Sequence, residues 1–280
     1  MTVYEDLVVE IDEPVAIIRL NRPDRLNAFR STTMRELRAA VTEAAADERV
    51  VGIVLTGTGR GFCVGLDSSD LSSAVNAPPR SAGEGTEANE APALFSYLLN
   101  VPKPVIAAVN GTCAGGGFVL AMMSDLRFAS EDAAFHTVFS KRGLTAEHGT
   151  SWLLPRMVGL GPALDLLWSS RRVDAAEAMT IGFVDRIFPP EELLPAAVTY
   201  IRQLAGTVSP ASIASIKELV HRHLGLPWPA AAVEADLAMQ ESVAGDDFRE
   251  GIAAFLDKRP PRFARIVAPD LAPTEKEGAS

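Results

Sequence analysis

Two glycine-rich turns, each directly after an almost uninterrupted apolar run, constrain the fold of this chain more than any other feature. The first run covers residues 50–56 and leads into a turn at 57–65, and the second covers residues 105–109 and leads into a turn at 111–117. Apolar runs without alternation are typical of parallel strands buried on both faces. A third strand is predicted at residues 126–129. Strands of this kind, separated by helices, favour an α/β fold of packed layers with crossover connections.

The same two turns could bring backbone N–H groups close to a ligand. Glycine has no Cβ, so a ligand can approach the main chain, and a helix that starts at Gly116 would direct its positive end at that ligand. Nucleotide binding is not indicated, because the turns match neither a phosphate-binding loop nor G-x-G-x-x-G with an acidic residue about 20 positions later. The alternative interpretation is structural: both could be tight turns between packed layers.

Hydrophobic spacing and turn residues predict the remaining elements. Residues 7–11 and 15–20 should form a hairpin, and a capping box at Thr33 and Glu36 should open a helix that ends near residue 46. Residues 72–90 lack a hydrophobic period and predict a surface loop, either a lid over a site or an insertion. The chain after Pro190 predicts an extended tail preceded by helices at residues 191–207, 210–223, 230–243 and 247–258.

The charge balance excludes several classes of partner. The chain carries 36 acidic and 26 basic residues, a formal charge of −10, which disfavours binding to nucleic acid or to an anionic membrane surface. Cys63 and Cys113 are too few for a disulfide framework or a cysteine zinc site, and the four scattered histidines predict no metal site. No apolar run reaches the roughly 18–20 residues that span a bilayer, and the acidic N-terminal stretch does not resemble a targeting peptide. A cytoplasmic protein is therefore predicted.

Seven ordered blocks resemble the crotonase (enoyl-CoA hydratase/isomerase) superfamily over nearly the whole chain. The blocks are NRPDRLNA at 21–28, FCVGLD at 62–67, PVIAAVNG followed by GGG between 104 and 117, MMSDLR at 122–127, LPRMVG at 154–159, GFVD at 182–185 and EGIAAFLDKR at 250–259. The resemblance implies an α/β fold with a crotonase-like ββα superhelix core that binds acyl-CoA in residues 1–200. Residues 201–280 would form a C-terminal helical oligomerisation region with a tail. The implied substrate is an acyl-CoA thioester, with no cofactor beyond its CoA moiety.

The resemblance also assigns an oxyanion hole to backbone groups. The N–H groups of Leu66 and Gly116 would bind the thioester carbonyl and stabilise an enolate, and each such donor is commonly worth about 3–4 kcal/mol. Lys258 belongs to a basic cluster suited to the phosphates of CoA, although a solvated surface is the alternative interpretation of that cluster. The residues expected to border CoA come from three motifs: Arg25, Leu26, Val64, Leu66, Phe255 and Lys258.

Both carboxylates that hydratases of this family use to activate water are missing from their expected positions. The first position corresponds to Val119, two residues after the third glycine, and the second to Phe139, four residues before Gly143. Apolar side chains cannot act as acid or base, so the ordinary hydration by such a pair is not expected. Val119 and Phe139 are instead predicted to line an acyl pocket.

Glu147 and His148 are the predicted catalytic residues. The run GLTAEHGT at 143–150 is similar to the turn in which some Δ3,Δ2-enoyl-CoA isomerases carry a single glutamate, with Glu147 in register. A lone carboxylate suits a proton shift, because it can take the α-proton of a 3-enoyl thioester and return it to the γ-carbon. His148 would orient Glu147 or replace it as the base. A structural alternative is that Glu147 stabilises the start of the next helix.

Three functions therefore stand as hypotheses. The first is an isomerase that uses Glu147, and the second is a hydratase, or a related lyase or hydrolase, that uses Glu147 with His148. The third is a catalytically silent acyl-CoA-binding protein. The position of the Glu147 carboxylate relative to the Leu66 and Gly116 N–H groups should distinguish them.

The C-terminal helices predict self-association. They carry more apolar side chains than a solvated appendage would, and soluble monomers avoid large exposed apolar patches. The resemblance implies a homotrimer, or a hexamer built as a dimer of trimers. In such an assembly Phe255 or Lys258 would reach the CoA site of a neighbouring subunit.

Overall fold

The computed structural model describes residues 2–67 and 94–267, in which strands and helices alternate. The strands are β1 (Leu7–Asp12), β2 (Val15–Leu20), β3 (Gly52–Gly57), β4 (Gly61–Cys63), β5 (Val105–Val109), β6 (Thr112–Ala114), β7 (Leu126–Ser130), β8 (Ala134–His136), β9 (Val173–Asp174) and β10 (Arg186–Phe188). The α-helices are α1 (Ser31–Ala46), α2 (Gly116–Met123), α3 (Thr150–Val158), α4 (Leu160–Ser169), α5 (Ala175–Thr180), α6 (Pro190–Thr207), α7 (Pro210–His223), α8 (Trp228–Ala244) and α9 (Asp246–Asp257). The loop predicted at 72–90 and most of the predicted tail lie outside the described residues.

The strands belong to two sheets, and from β3 to β8 successive strands alternate between them. The larger sheet has the order β1-β2-β3-β5-β7-β10 and the smaller the order β4-β6-β8-β9. The long strands β3, β5 and β7 are each followed by a short strand, β4, β6 or β8, of the smaller sheet, and neighbours within each set are parallel. This repetition is the ββα core that the sequence predicted.

The larger sheet is covered on both faces, which explains why its strands are apolar without alternation. One face packs into the main core, to which β3 contributes Ile53 and Leu55. The opposite face contributes Val54 and packs against α6, where Ile201 is fully buried. The residues of β5 divide between the two faces in the same way.

The N-terminal hairpin is confirmed, but the predicted capping box is wrong. β1 and β2 pair antiparallel, with Leu7 opposite Leu20. Helix α1 begins at Ser31, and the hydroxyl of Thr33 accepts the N–H of Arg30 at 3.2 Å, so Thr33 lies inside the first turn. Glu36 turns to the N-terminal segment instead, where its carboxylate accepts the N–H of Asp6 at 2.8 Å. The spacing is compatible with a capping box, but a tertiary contact takes the carboxylate.

The four C-terminal helices lie at the predicted positions. The boundary predicted at residue 200 falls within α6, which packs on the larger sheet, and the division into two regions stays a prediction. Helices α8 and α9 expose many apolar side chains, including Leu237, Phe255 and Leu256. No helix in the described part of the chain is long and apolar enough to cross a membrane.

Candidate active site

Two asparagine side chains hold the first glycine-rich turn, and one of them connects it to the start of the second. Asn27 donates its amide hydrogens to the carbonyls of Thr58 and Gly61, at 3.0 and 2.8 Å. Asn110, which follows β5, accepts the N–H of Gly57 at 3.0 Å and donates to the carbonyl of Gly59 at 2.9 Å. These asparagines therefore fix the first turn in shape and hold it against the second.

The closest approach of the two turns requires glycine. Gly65 has a φ of +89°, and a Cβ built on it would lie 2.9 Å from the nitrogen of Gly116. A Cβ on Gly117 would lie 2.1 Å from the carbonyl oxygen of Cys63. Any side chain at these positions would push the turns apart, so their glycines serve close backbone packing.

This contact places the predicted oxyanion donors on adjoining segments. Leu66 follows Gly65, and the backbone on either side of Leu66 is fixed by Phe29, whose N–H donates to Gly65 at 2.7 Å and whose carbonyl accepts from Asp67 at 2.8 Å. Gly116 begins α2, so its N–H has no partner within the helix and lies at the positive end of the helix dipole. Among the described residues, the N–H groups of Leu66 and Gly116 donate to no backbone carbonyl. The arrangement can accept an oxygen that carries developing negative charge.

The predicted acyl-pocket residues lie inside the protein. Val119 on α2 is completely buried and Phe139 is 3% exposed, and both belong to the main core. Before Phe139, Val138 adopts a left-handed conformation with φ of +56°, which is rare for a β-branched residue. Its Cγ2 atom lies 3.1 Å from the position of a Cβ on Gly115, so the 138–142 segment packs directly on the second turn.

Glu147 and His148 form a pair at the N-terminus of α3. Their side chains are 40% and 30% exposed, and Nε2 of His148 lies 3.7 Å from Oε1 of Glu147. The N–H of Leu94 donates to Nδ1 of His148 at 3.3 Å, so Nε2 is the ring nitrogen that faces the carboxylate. No described contact joins Glu147 to Leu66 or Gly116.

The predicted CoA-binding residues divide between two regions of the surface. Leu26 packs 3.4 Å from the Cβ position of Gly61, next to the exposed Arg25, while Val64 and Leu66 are half-buried beside it. Phe255 and Lys258 lie exposed at the end of α9. Within the basic cluster, Arg259 is neutralised by Glu250, with contacts of 2.6 and 2.9 Å.

Two residues that hold the site together were not identified from the sequence. Phe29 bridges the first turn through its backbone, and its ring lies 3.3 Å from the Cβ position of Gly116. Arg22 pairs with Asp67 at 3.0 Å, beside the predicted oxyanion donor Leu66. Both residues lie in or next to the sequence block at 21–28 that resembles the family. The spacing of residues along the chain does not show which distant residue each of them contacts.

A large cavity lies apart from these residues. It measures about 640 Å³ and lies between the larger sheet, α3, α6 and α7, with a mainly apolar lining that includes Met122, Leu153 and Lys217. None of the predicted catalytic, oxyanion or CoA-binding residues lines it. The candidate active site is therefore assigned from the contact between the two glycine-rich turns and not from the size of a cavity.

Comparison with known proteins gives the same assignment along the chain. The family described as Enoyl-CoA hydratase/isomerase matches residues 10–265. A probable enoyl-CoA hydratase of Rhodobacter capsulatus is 35% identical, over 93% of this chain and 98% of that protein. The 1,2-epoxyphenylacetyl-CoA isomerase of Escherichia coli is 34% identical, over 92% of this chain and 98% of that protein. The crystal structure of a probable enoyl-CoA hydratase/isomerase from Mycobacterium abscessus superposes with a TM-score of 0.82 at 31% identity, over 93% of this chain and 99% of that one.

The two sheets and the touching glycine turns thus occur in a chain whose relatives are named as an enoyl-CoA hydratase and an acyl-CoA isomerase. This chain belongs to the enoyl-CoA hydratase/isomerase family, the crotonase superfamily, and is an acyl-CoA enzyme of that family. Its relatives are named both as hydratases and as isomerases, so membership by itself does not choose between the two reactions.

Proposed function

We propose that this enzyme shifts a double bond in an enoyl-CoA thioester, with Glu147 carrying the proton and the N–H groups of Leu66 and Gly116 holding the enolate oxygen. One observation carries the proposal: the two glycine turns touch, which keeps enolate stabilisation available, while buried apolar side chains fill both water-activating positions. An oxyanion hole without that pair of carboxylates suits proton transfer within the substrate better than addition of water.

The proposed reaction needs one carboxylate and consumes no water. The Glu147 carboxylate removes a proton from the α-carbon of a 3-enoyl thioester, and the electron pair of that C–H bond passes to the thioester oxygen. The enolate then collapses as the carboxyl O–H of Glu147 delivers the proton to the γ-carbon, leaving a 2-enoyl thioester. Each backbone donor in such a hole is commonly worth about 3–4 kcal/mol of transition-state stabilisation.

His148 is proposed as a positioning residue for Glu147. Its Nδ1 atom accepts the N–H of Leu94, and its Nε2 atom faces the carboxylate at 3.7 Å. A ring held at one nitrogen by the backbone can limit the rotamers of the neighbouring carboxylate. Removing the ring should therefore slow the reaction less than removing the carboxylate.

Hydration is the second candidate function. Several relatives carry the name hydratase, including the one from Rhodobacter capsulatus. In this alternative Glu147 would activate water, with His148 as its partner, and the product would be a 3-hydroxyacyl thioester.

The proposal is tested by measuring the conversion of 3-enoyl-CoA thioesters by the wild-type enzyme and by a variant in which one carboxylate is replaced. Purified wild-type enzyme should convert 3-enoyl-CoA thioesters into 2-enoyl-CoA thioesters. Glu147→Gln keeps the size of the side chain but removes the base, so turnover should fall by about 10²–10⁴-fold. Glu131→Gln, at an exposed carboxylate after β7, is the matched control and should retain full activity.

The remaining outcomes would overturn the isomerase assignment. Unchanged turnover in Glu147→Gln would remove Glu147 from the mechanism. Conversion of 2-enoyl thioesters into 3-hydroxyacyl thioesters without isomerisation would establish the hydratase. Tight acyl-CoA binding without any turnover would establish the silent binding protein.

A further inference from the structure

A guanidinium group lies beside the second glycine turn. The Nη1 atom of Arg142 lies 4.0 Å from the position of a Cβ on Gly115, the residue before the oxyanion donor Gly116. Arg142 ends the short 3₁₀ turn Ser140–Arg142, and its own N–H donates to the carbonyl of Phe139 at 2.9 Å. It therefore follows directly on the segment predicted to line the acyl pocket.

The segment before Arg142 contains a residue in an unfavourable backbone conformation. Val138 has φ of +56°, a left-handed conformation that is unfavourable for a β-branched residue. The Val138 side chain contacts Gly115, and the turn that follows brings Arg142 to the same glycine. Such strain persists only where the surrounding packing imposes it, and it is concentrated at functional sites.

Arg142 is exposed and has no carboxylate partner within the described structure. Arg142 forms no ion pair with a carboxylate of residues 2–67 or 94–267, whereas Arg22, near the first turn, pairs with Asp67. Two more cations, Arg172 and Lys141, lie near His136. Burial and the charges of these two residues lower the pKa of His136. The backbone carbonyl of His136 accepts the N–H of Gly115 at 3.1 Å. This end of β8 therefore carries positive potential in a chain whose formal charge is −10.

We propose that Arg142 binds a carboxylate on the acyl part of the substrate, so that the enzyme prefers CoA thioesters of acids with a second, distal carboxyl group. The inference rests on the proposed function for the position of the thioester, because Gly116 holds the carbonyl and Arg142 adjoins Gly115. A guanidinium matches a carboxylate in a bidentate geometry, and no carboxylate of the described residues competes for Arg142. The same chemistry would also suit a phosphate of CoA, and the experiment distinguishes these two sources.

Binding of two saturated thioesters of equal acyl length is the test. Glutaryl-CoA and valeryl-CoA share the CoA moiety and differ in the distal carboxylate, and isothermal titration calorimetry measures both without turnover. Wild-type protein should bind glutaryl-CoA more tightly. Arg142→Gln should weaken glutaryl-CoA by about 10- to 100-fold, as expected for the loss of a charged hydrogen bond, and valeryl-CoA far less. Arg142→Lys should retain part of the preference, and Arg35→Gln, at an exposed arginine on α1, should retain all of it.

Equal weakening of both ligands in Arg142→Gln would assign the guanidinium to a CoA phosphate and overturn the proposal. Equal binding of both ligands by the wild type would overturn it as well. Thermal unfolding of each variant shows whether a loss reflects misfolding, and Arg142→Lys keeps the test valid if Arg142→Gln does not fold. A wild-type protein that isomerises 3-enoyl thioesters but shows no preference for glutaryl-CoA rejects only this inference, whereas a wild-type preference for glutaryl-CoA without isomerisation rejects only the proposed function.

Discussion

At the scale of single residues, the absence of a side chain creates the candidate active site. Gly65 combines a positive φ with a backbone atom of Gly116 only 2.9 Å from where a Cβ would stand. Alanine there would have to occupy an unfavourable conformation and displace main chain, which cannot move aside as a flexible side chain could. Stability and the geometry of the predicted oxyanion hole therefore depend on the same glycine.

Gly65→Ala should lower the free energy of unfolding by about 2 kcal/mol or more and reduce turnover sharply, because strain and displacement of the Gly116 N–H act together. Urea unfolding and isomerase assays measure the two effects. Gly161→Ala on α4 is the matched control: nothing lies within 4 Å of its Cβ position, so the protein should stay equally stable or gain about 0.5–1 kcal/mol. Wild-type stability in Gly65→Ala would show that the turns can separate without cost.

At the scale of elements, a buried ion pair attaches the first of the outlying helices to the core. Lys217 on α7 donates to Asp125, before β7, at 2.7 Å and to the carbonyl of Leu98 at 3.0 Å. Asp125 also accepts the N–H of Val105, at the start of β5. Burial lowers the pKa of Lys217, and the charge of Asp125 opposes that effect. The pair thus connects α7 with two neighbouring strands of the larger sheet.

Lys217→Met should destabilise the protein by about 3–5 kcal/mol, because it removes the lysine from a largely buried pair and leaves the Asp125 carboxylate with only the N–H of Val105 and the nearby His221 as partners. Chemical denaturation followed by circular dichroism measures the change. Glu218→Gln, on the exposed side of the same helix, should alter stability by less than about 1 kcal/mol. Similar small effects in both variants would show that α7 is held by its apolar contacts alone.

At the scale of the whole molecule, the C-terminal helices present an apolar surface without a partner among the described residues. Phe255 and Leu256 are 78% and 71% exposed. Such side chains on α8 and α9 would form an extended apolar patch in a soluble monomer. Self-association that buries them is therefore still the prediction, as it was from the sequence.

Analytical ultracentrifugation at micromolar concentration should show a trimer or a dimer of trimers. Replacing both Phe255 and Leu256 by aspartate should shift the protein toward monomer, because charges would enter the buried interface. The control pair Asp246→Asn with Arg249→Gln removes an exposed ion pair on the same helix without touching the apolar face, and it should leave the assembly intact. A wild-type monomer would contradict the prediction.

Local patterns predicted the fold well because they report backbone requirements. The apolar runs around Val54 and Ile106 indicated strands covered on both faces. The glycine-rich turns indicated accessible backbone N–H groups, and the structure shows that Gly65 and Gly116 also bring the two turns together. The capping box failed because a correct spacing at Glu36 was overridden by the N–H of Asp6, a partner 30 residues away. The catalytic assignment to Glu147 and His148 comes from a motif, and it stays a prediction.

The sequence by itself determined the family and the order of the elements, and it predicted the backbone donors of the oxyanion hole. Only the tertiary structure decided which residues distant in the chain meet: His148 with Leu94, Arg142 with Gly115, and Lys217 with Asp125. Hydrophobic period and glycine position restrict the conformation of neighbouring residues, so they can be read along the chain. Contacts between distant residues depend on how whole elements pack and on where each side chain finds an oppositely charged or hydrogen-bonding partner, and no local pattern contains that information.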